Sequence, residues 1–147
     1  MRKLVKLLLV IISFSGCSNI NSEFELCSGG KRPYYYPTLT YKGGFYKIKN
    51  HFYNNCKIMN NPNSTGIVKI RFDVNCKGET GNFIIDTYSI NYKDEIINEK
   101  ITKQLLFLTK ELEGWVPAIN EEGETINSYK FLAFKLVDGK LIDILPK

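Results

Sequence analysis

The side chains whose types could do chemistry are few: four cysteines, one histidine and a small group of glutamates. Cys17, Cys27, Cys56 and Cys76 could be lipidated, pair as disulfides or hold a metal. A zinc site calls for thiolates a few residues apart, joined by histidines at similar spacing. From Cys27 to Cys56 is 29 residues and from Cys56 to Cys76 is 20, and His51 stands alone. No metal site is expected. A general base needs an orienting partner and a substrate proton within reach. His51 has no nucleophile at usable spacing, so a surface or capping histidine is expected. Glu121, Glu122 and Glu124 surround Gly123 and read as a solvated turn, not as working carboxylates. Trp115, the single tryptophan, reads as a core plug beside a helix end and not as a ligand platform. Gly78 and Gly81 belong to a hairpin with no helix after them, unlike a phosphate-cradling loop. Neither an enzyme nor a cofactor is expected.

Cys17 is different, because of what precedes it. Arg2, Lys3 and Lys6 open the chain, the ten residues from Leu7 to Gly16 are uncharged, and Ser15 and Gly16 are small. Basic, apolar and small segments in that order form an export signal. The uncharged run is far short of the roughly 20 residues that cross a bilayer as a helix. Phe14-Ser15-Gly16-Cys17 resembles the bacterial lipoprotein processing box. That resemblance implies removal of residues 1–16 as a signal peptide and lipidation of Cys17 as the new N-terminus. The alternative is an ordinary secretory signal with an incidental cysteine. The expected location is the periplasm or the outer membrane, with the protein held to a membrane by its lipid.

Export also bears on the other cysteines. An oxidising compartment favours disulfides, so one bridge and one leftover thiol are expected among Cys27, Cys56 and Cys76. Cys56–Cys76 is the preferred pair, because both flank one predicted strand. Closing that loop would contribute roughly 3 kcal/mol. Three unpaired thiols are the alternative.

Without residues 1–16, the 20 Lys and Arg fall to 17 against 15 Asp and Glu, so the net charge drops from +5 to +2. No dense basic face is left to neutralise phosphates, and nucleic acid is not an expected partner. Hydrophobic residues at 44% and aromatics at 13% mark a folded chain, long enough for one domain with a core.

The elements follow from periodicity. Residues 17–41 read as a lipidated tether and 42–147 as the domain. Phe45, Ile48 and Phe52 fall at helical spacing after Gly43-Gly44, and Asn54 to Thr65 reads as a loop. From Gly66 to Asn75, Val68, Ile70, Phe72 and Val74 alternate with Lys69, Arg71, Asp73 and Asn75. That period of two is an antiparallel strand with one wet face. Asn82 to Ile90 returns as a second strand. Asp94 is expected to cap a helix reaching Leu112, with Ile97, Ile101, Leu105, Leu108 and Leu112 on one stripe and Gly114 ending it. Trp115 to Ile119 reads as extended, Thr125 to Val137 as a long β segment, and Asp138-Gly139 as a hairpin turn into Lys140–Leu145. The fold class is α+β: a small antiparallel sheet of three to four strands with two helices packed on one face.

Four features occur in series. They are Gly43-Gly44 before a short helix, the Gly66–Asn75 strand followed by Gly78, Trp115-Val116-Pro117-Ala118 after the second helix, and Gly123 before Tyr129 to Phe134. Together they resemble the TonB C-terminal domain in its Bacteroidetes-type form, over residues 42–137. The resemblance implies a periplasmic module that binds an extended segment of an outer-membrane transporter by strand addition. The edge strand it implies contains Tyr129, Lys130, Phe131, Leu132, Ala133 and Phe134. A complete energy transducer needs a spanning helix and a long spacer, whereas the 24 residues from 18 to 41, as a flexible tether, span roughly 30 Å. The expected protein is therefore a lipid-anchored envelope binding domain whose partner is an envelope protein or peptide segment. The alternative is a structural lipoprotein that self-associates, as a homodimer, and has no transport role.

Overall fold

The computed structural model describes residues 23–29, 38–57 and 64–146. In chain order the elements are β1 (Thr40–Tyr41), α1 (Gly44–Asn55), β2 (Gly66–Val74), β3 (Thr80–Tyr88), α2 (Glu99–Lys110), β4 (Trp115–Val116), β5 (Ala118–Ile119), β6 (Thr125–Ile126), β7 (Ser128–Val137) and β8 (Lys140–Leu145). The class is α+β: two helices with antiparallel sheets, one of which has four strands in the order β3-β2-β7-β8.

Alternation along β2 sets the layers. Val68, Ile70, Phe72 and Val74 are buried, as are Leu132, Phe134 and Leu136 of β7. Val68 lies opposite Phe134 and Ile70 opposite Leu132, so these side chains share one face. Both helices close over that face with stripes spaced three and four residues apart. Helix α1 brings Ile48 and Phe52, and α2 brings Ile101, Leu105 and Leu108. The Phe52 and Phe134 rings lie 4.6 Å apart. Trp115 is 5% exposed, between Tyr41 and Phe72 at 5.0 and 5.3 Å. It is a core residue, held by the short pairing of β1 with β4.

Four expectations need correction. Helix α2 starts at Glu99, not after Asp94. Its cap is Asn98, whose side-chain oxygen accepts from the Lys100 amide at 2.9 Å. Asp94 instead bridges back to Tyr88, and the Glu95 amide donates to the Thr87 carbonyl at 3.3 Å. Those contacts keep the chain extended for another turn's length before it can coil. Replacing Asn98 with alanine is expected to cost about 0.5–2 kcal/mol, read as a lower urea midpoint at unchanged slope.

The disulfide is Cys27–Cys76, with Cα atoms 6.0 Å apart, and Cys56 is a free thiol. The expected Cys56–Cys76 pair fails because flanking one strand puts two residues at its opposite ends. Nine residues of β2 span about 30 Å, whereas bridged Cα atoms lie within about 7 Å of each other. Cys56 donates to Gln104 Oε1 at 3.3 Å, and burial pushes its thiol pKa up.

Part of the segment expected as a tether, 17–41, packs against the domain. Phe24 covers Gly81, the Asn75 amide donates to the Glu25 carbonyl at 2.9 Å, and Asn127 pairs with both main-chain groups of Cys27 at 3.0 and 2.7 Å. Residues 23–29 are thus strapped to the domain. Asn127 also interrupts the expected long segment, splitting it into β6 and β7. Cys17 and the run Tyr34-Tyr35-Tyr36 lie outside the described residues.

Candidate binding surfaces

Of the expected partner-binding strand, Tyr129, Lys130, Phe131, Leu132, Ala133 and Phe134, only Ala133 and Phe134 lie between two strands among the described residues; β8 does not reach Tyr129–Leu132. All six residues pair with β2, and β8 pairs with β7 from Ala133 to Val137 on the other side. The hairpin at Asp138-Gly139 folds β8 back onto Ala133 and Phe134, which is the physical reason the expectation fails for those two residues. Leu132 and Phe134 are fully buried, and burial lowers the pKa of the Lys130 ammonium.

The outer strands are β3 and β8. Beside β8, Tyr53 of α1 donates its hydroxyl to the Ile142 carbonyl at 3.2 Å, and Lys49 contacts Asp143 at 2.7 Å. This rim is short and already engaged. Strand β3 is longer, and among the described residues β2 is its only strand partner. Its last residues meet Asp94 and Glu95. Main-chain groups alternate in direction along a strand. Because the Thr87 carbonyl points outward to Glu95, the groups of Ile85 also point outward, while those of Ile84 and Asp86 face β2. A bulge opposite Phe72, where Asn82 has a φ of 52°, ends the regular rim at Phe83. The open stretch is therefore Phe83–Asp86, with the Ile84 side chain 50% exposed.

The face of the sheet away from the helices is a second surface. A groove of about 560 Å³ there is lined by Ile67, Lys69, Tyr88, Phe131, Ala133 and Leu145, among others. Ile90 and Tyr92, on the chain leaving β3, form one wall. Phe131 and Ala133, named for strand addition, supply its floor instead. Lys69 Nζ sits 4.8 Å from the centre of the Phe131 ring. The alternation in β2 marks Lys69 as outward-facing. It gives no sign that Ile67, Tyr88, Ala133 and Leu145 would gather around it, because that depends on strand order.

The remaining candidates are placed plainly. His51 Nε2 is 2.9 Å from the Leu108 carbonyl and ties α1 to the end of α2. Glu121, Glu122 and Glu124 lie exposed around the turn between β5 and β6. Among the described residues no group of three or more His, Cys, Asp or Glu side chains could hold a metal ion, and no helix is long and apolar enough to cross a membrane. No family model, curated protein or solved structure compared with the chain matches it.

Proposed function

We propose that this chain is an exported, lipid-anchored binding protein of the cell envelope, with a domain of the TonB C-terminal kind. It takes up an extended segment of an envelope partner, such as an outer-membrane transporter, by strand addition on β3. The observation carrying the reading is the outward main-chain groups of Phe83 and Ile85, on a strand with one strand neighbour among the described residues. A guest backbone there gains main-chain hydrogen bonds, and Ile84 supplies an apolar contact for its side chains. The protein acts by binding, without catalysis or a cofactor. With Cys17 lipidated and residue 23 strapped to the sheet, the linker between them reaches about 20 Å at most. The domain then works close to the membrane that holds its lipid.

Proline at position 85 removes an outward donor without breaking the ladder to β2. The lipidated protein carrying Ile85→Ala is expected to co-purify a partner from crosslinked envelopes as well as the parent does. Ile85→Pro is expected to lose at least tenfold of it. Equal capture by both variants would contradict binding at this rim. Concentration-dependent dimerisation abolished by Ile85→Pro would make a second copy the guest.

A further inference from the structure

An antiparallel sheet with helices on one face normally turns polar side chains to water on the other. Here part of that other face is apolar. Ile67, Phe131, Ala133 and Leu145 come together across β2, β7 and β8, and Tyr88 joins them from β3. Ile90 and Tyr92, which wall the groove, remain 46% and 73% exposed. A mostly apolar groove of about 560 Å³ with a few polar groups is the usual form of a small-ligand site.

The charged groups of its lining are two lysines, and the carboxylates opposite them are engaged elsewhere. Lys69 lies opposite Asp86, and Lys135 lies opposite Asp143. Cross-strand partners of opposite charge ordinarily pair. Yet Arg71 takes Asp86 at 3.2 Å, and Lys49 takes Asp143 at 2.7 Å. Among the described residues, neither Lys69 nor Lys135 has an ion-pair partner. Because Lys69 faces Ala133, the two lysines are diagonal neighbours, about 7–8 Å apart at the backbone. Both flank the same apolar floor.

We infer that this face binds a single-chain amphiphilic anion, a long-chain carboxylate, with its chain along the groove and its head group between Lys69 and Lys135. A neutral apolar ligand would leave two ammonium groups without a counter-ion at its side. A peptide laid across this floor would find few partners for its main-chain groups, and burying them unpaired is costly. One chain with one carboxylate satisfies both the floor and the cations. This site is separate from the β3 rim and does not rest on strand addition there.

The test uses the full chain carrying Cys17→Ser, so that no attached acyl group competes. Dodecanoate below its micelle concentration, dodecanol and phosphatidylglycerol vesicles are titrated, with calorimetry and the amide signals of Ile67 and Ala133 as readouts. Dodecanoate is expected to bind one to one, at least tenfold more tightly than dodecanol, and to shift both amides. Lys69→Met with Lys135→Met should abolish that preference, and Ala133→Trp should block both ligands while the fold is kept. Ile85→Pro should leave dodecanoate binding unchanged. Absence of saturable dodecanoate binding, undiminished binding by Ala133→Trp, or binding to vesicles alone would overturn the inference.

Discussion

Replacing Phe134 with alanine is expected to remove about 3–5 kcal/mol of stability, the largest effect of any single substitution considered. Phe134 is fully buried in β7, where it faces Phe52 at 4.6 Å and lies beside Val68 of β2. Truncation takes away the transfer free energy of the ring. It also leaves a cavity that cannot collapse, because α1, β2 and β8 fix its walls. A loss of this size is a large share of the 5–15 kcal/mol typical of a domain. Chemical unfolding would show it as a midpoint shift. Ala133→Gly, one residue away on the opposite face, is the comparison and should lose much less. Equal losses at both positions would mean that the helices do not cover the Phe134 side.

Breaking the bridge with Cys76→Ser is expected to cost about 4 kcal/mol, from the chain-entropy relation at a sequence separation of 49. The reduced wild-type protein should show a similar loss. Cys56→Ser should change stability by about 0.5 kcal/mol or less, since serine keeps a donor for Gln104 and no bridge is involved. Mass mapping of peptides without reductant should recover Cys27 joined to Cys76, with Cys56 alkylated only after unfolding. A Cys56–Cys76 peptide would require β2 to be broken in its middle.

The face of each strand was legible from residues alone. Val68, Ile70, Phe72 and Val74 alternate with polar neighbours, and all four are buried. Both helices were legible too, through Ile48 and Phe52 in one and Ile101, Leu105 and Leu108 in the other. What alternation cannot carry is strand order, because a side chain's face does not depend on which neighbour lies beside its strand. That is why Ala133 and Phe134 read as rim residues yet lie between β2 and β8. The groove was hidden for the same reason: its lining comes from four strands, and only their order unites it.

Local capping chemistry was ambiguous in a similar way. Asp94 and Asn98 are both good N-caps, and the contact of Glu95 with Thr87 decides between them. The disulfide depends on topology as well. The β2–β3 turn brings Cys76 to the end of the sheet where Asn127 and the N-terminal strap meet, while Cys56 stays at the other end beside Gln104.

Residue-resolved hydrogen exchange on the lipidated protein, with and without its crosslinked envelope partner, tests strand addition most directly. The amides of Phe83 and Ile85 are expected to exchange quickly in the unbound protein and to slow at least tenfold in the complex, while those of β8 do not change. Protection confined to β8, or none on β3 in a partner-bound sample, would contradict strand addition on β3.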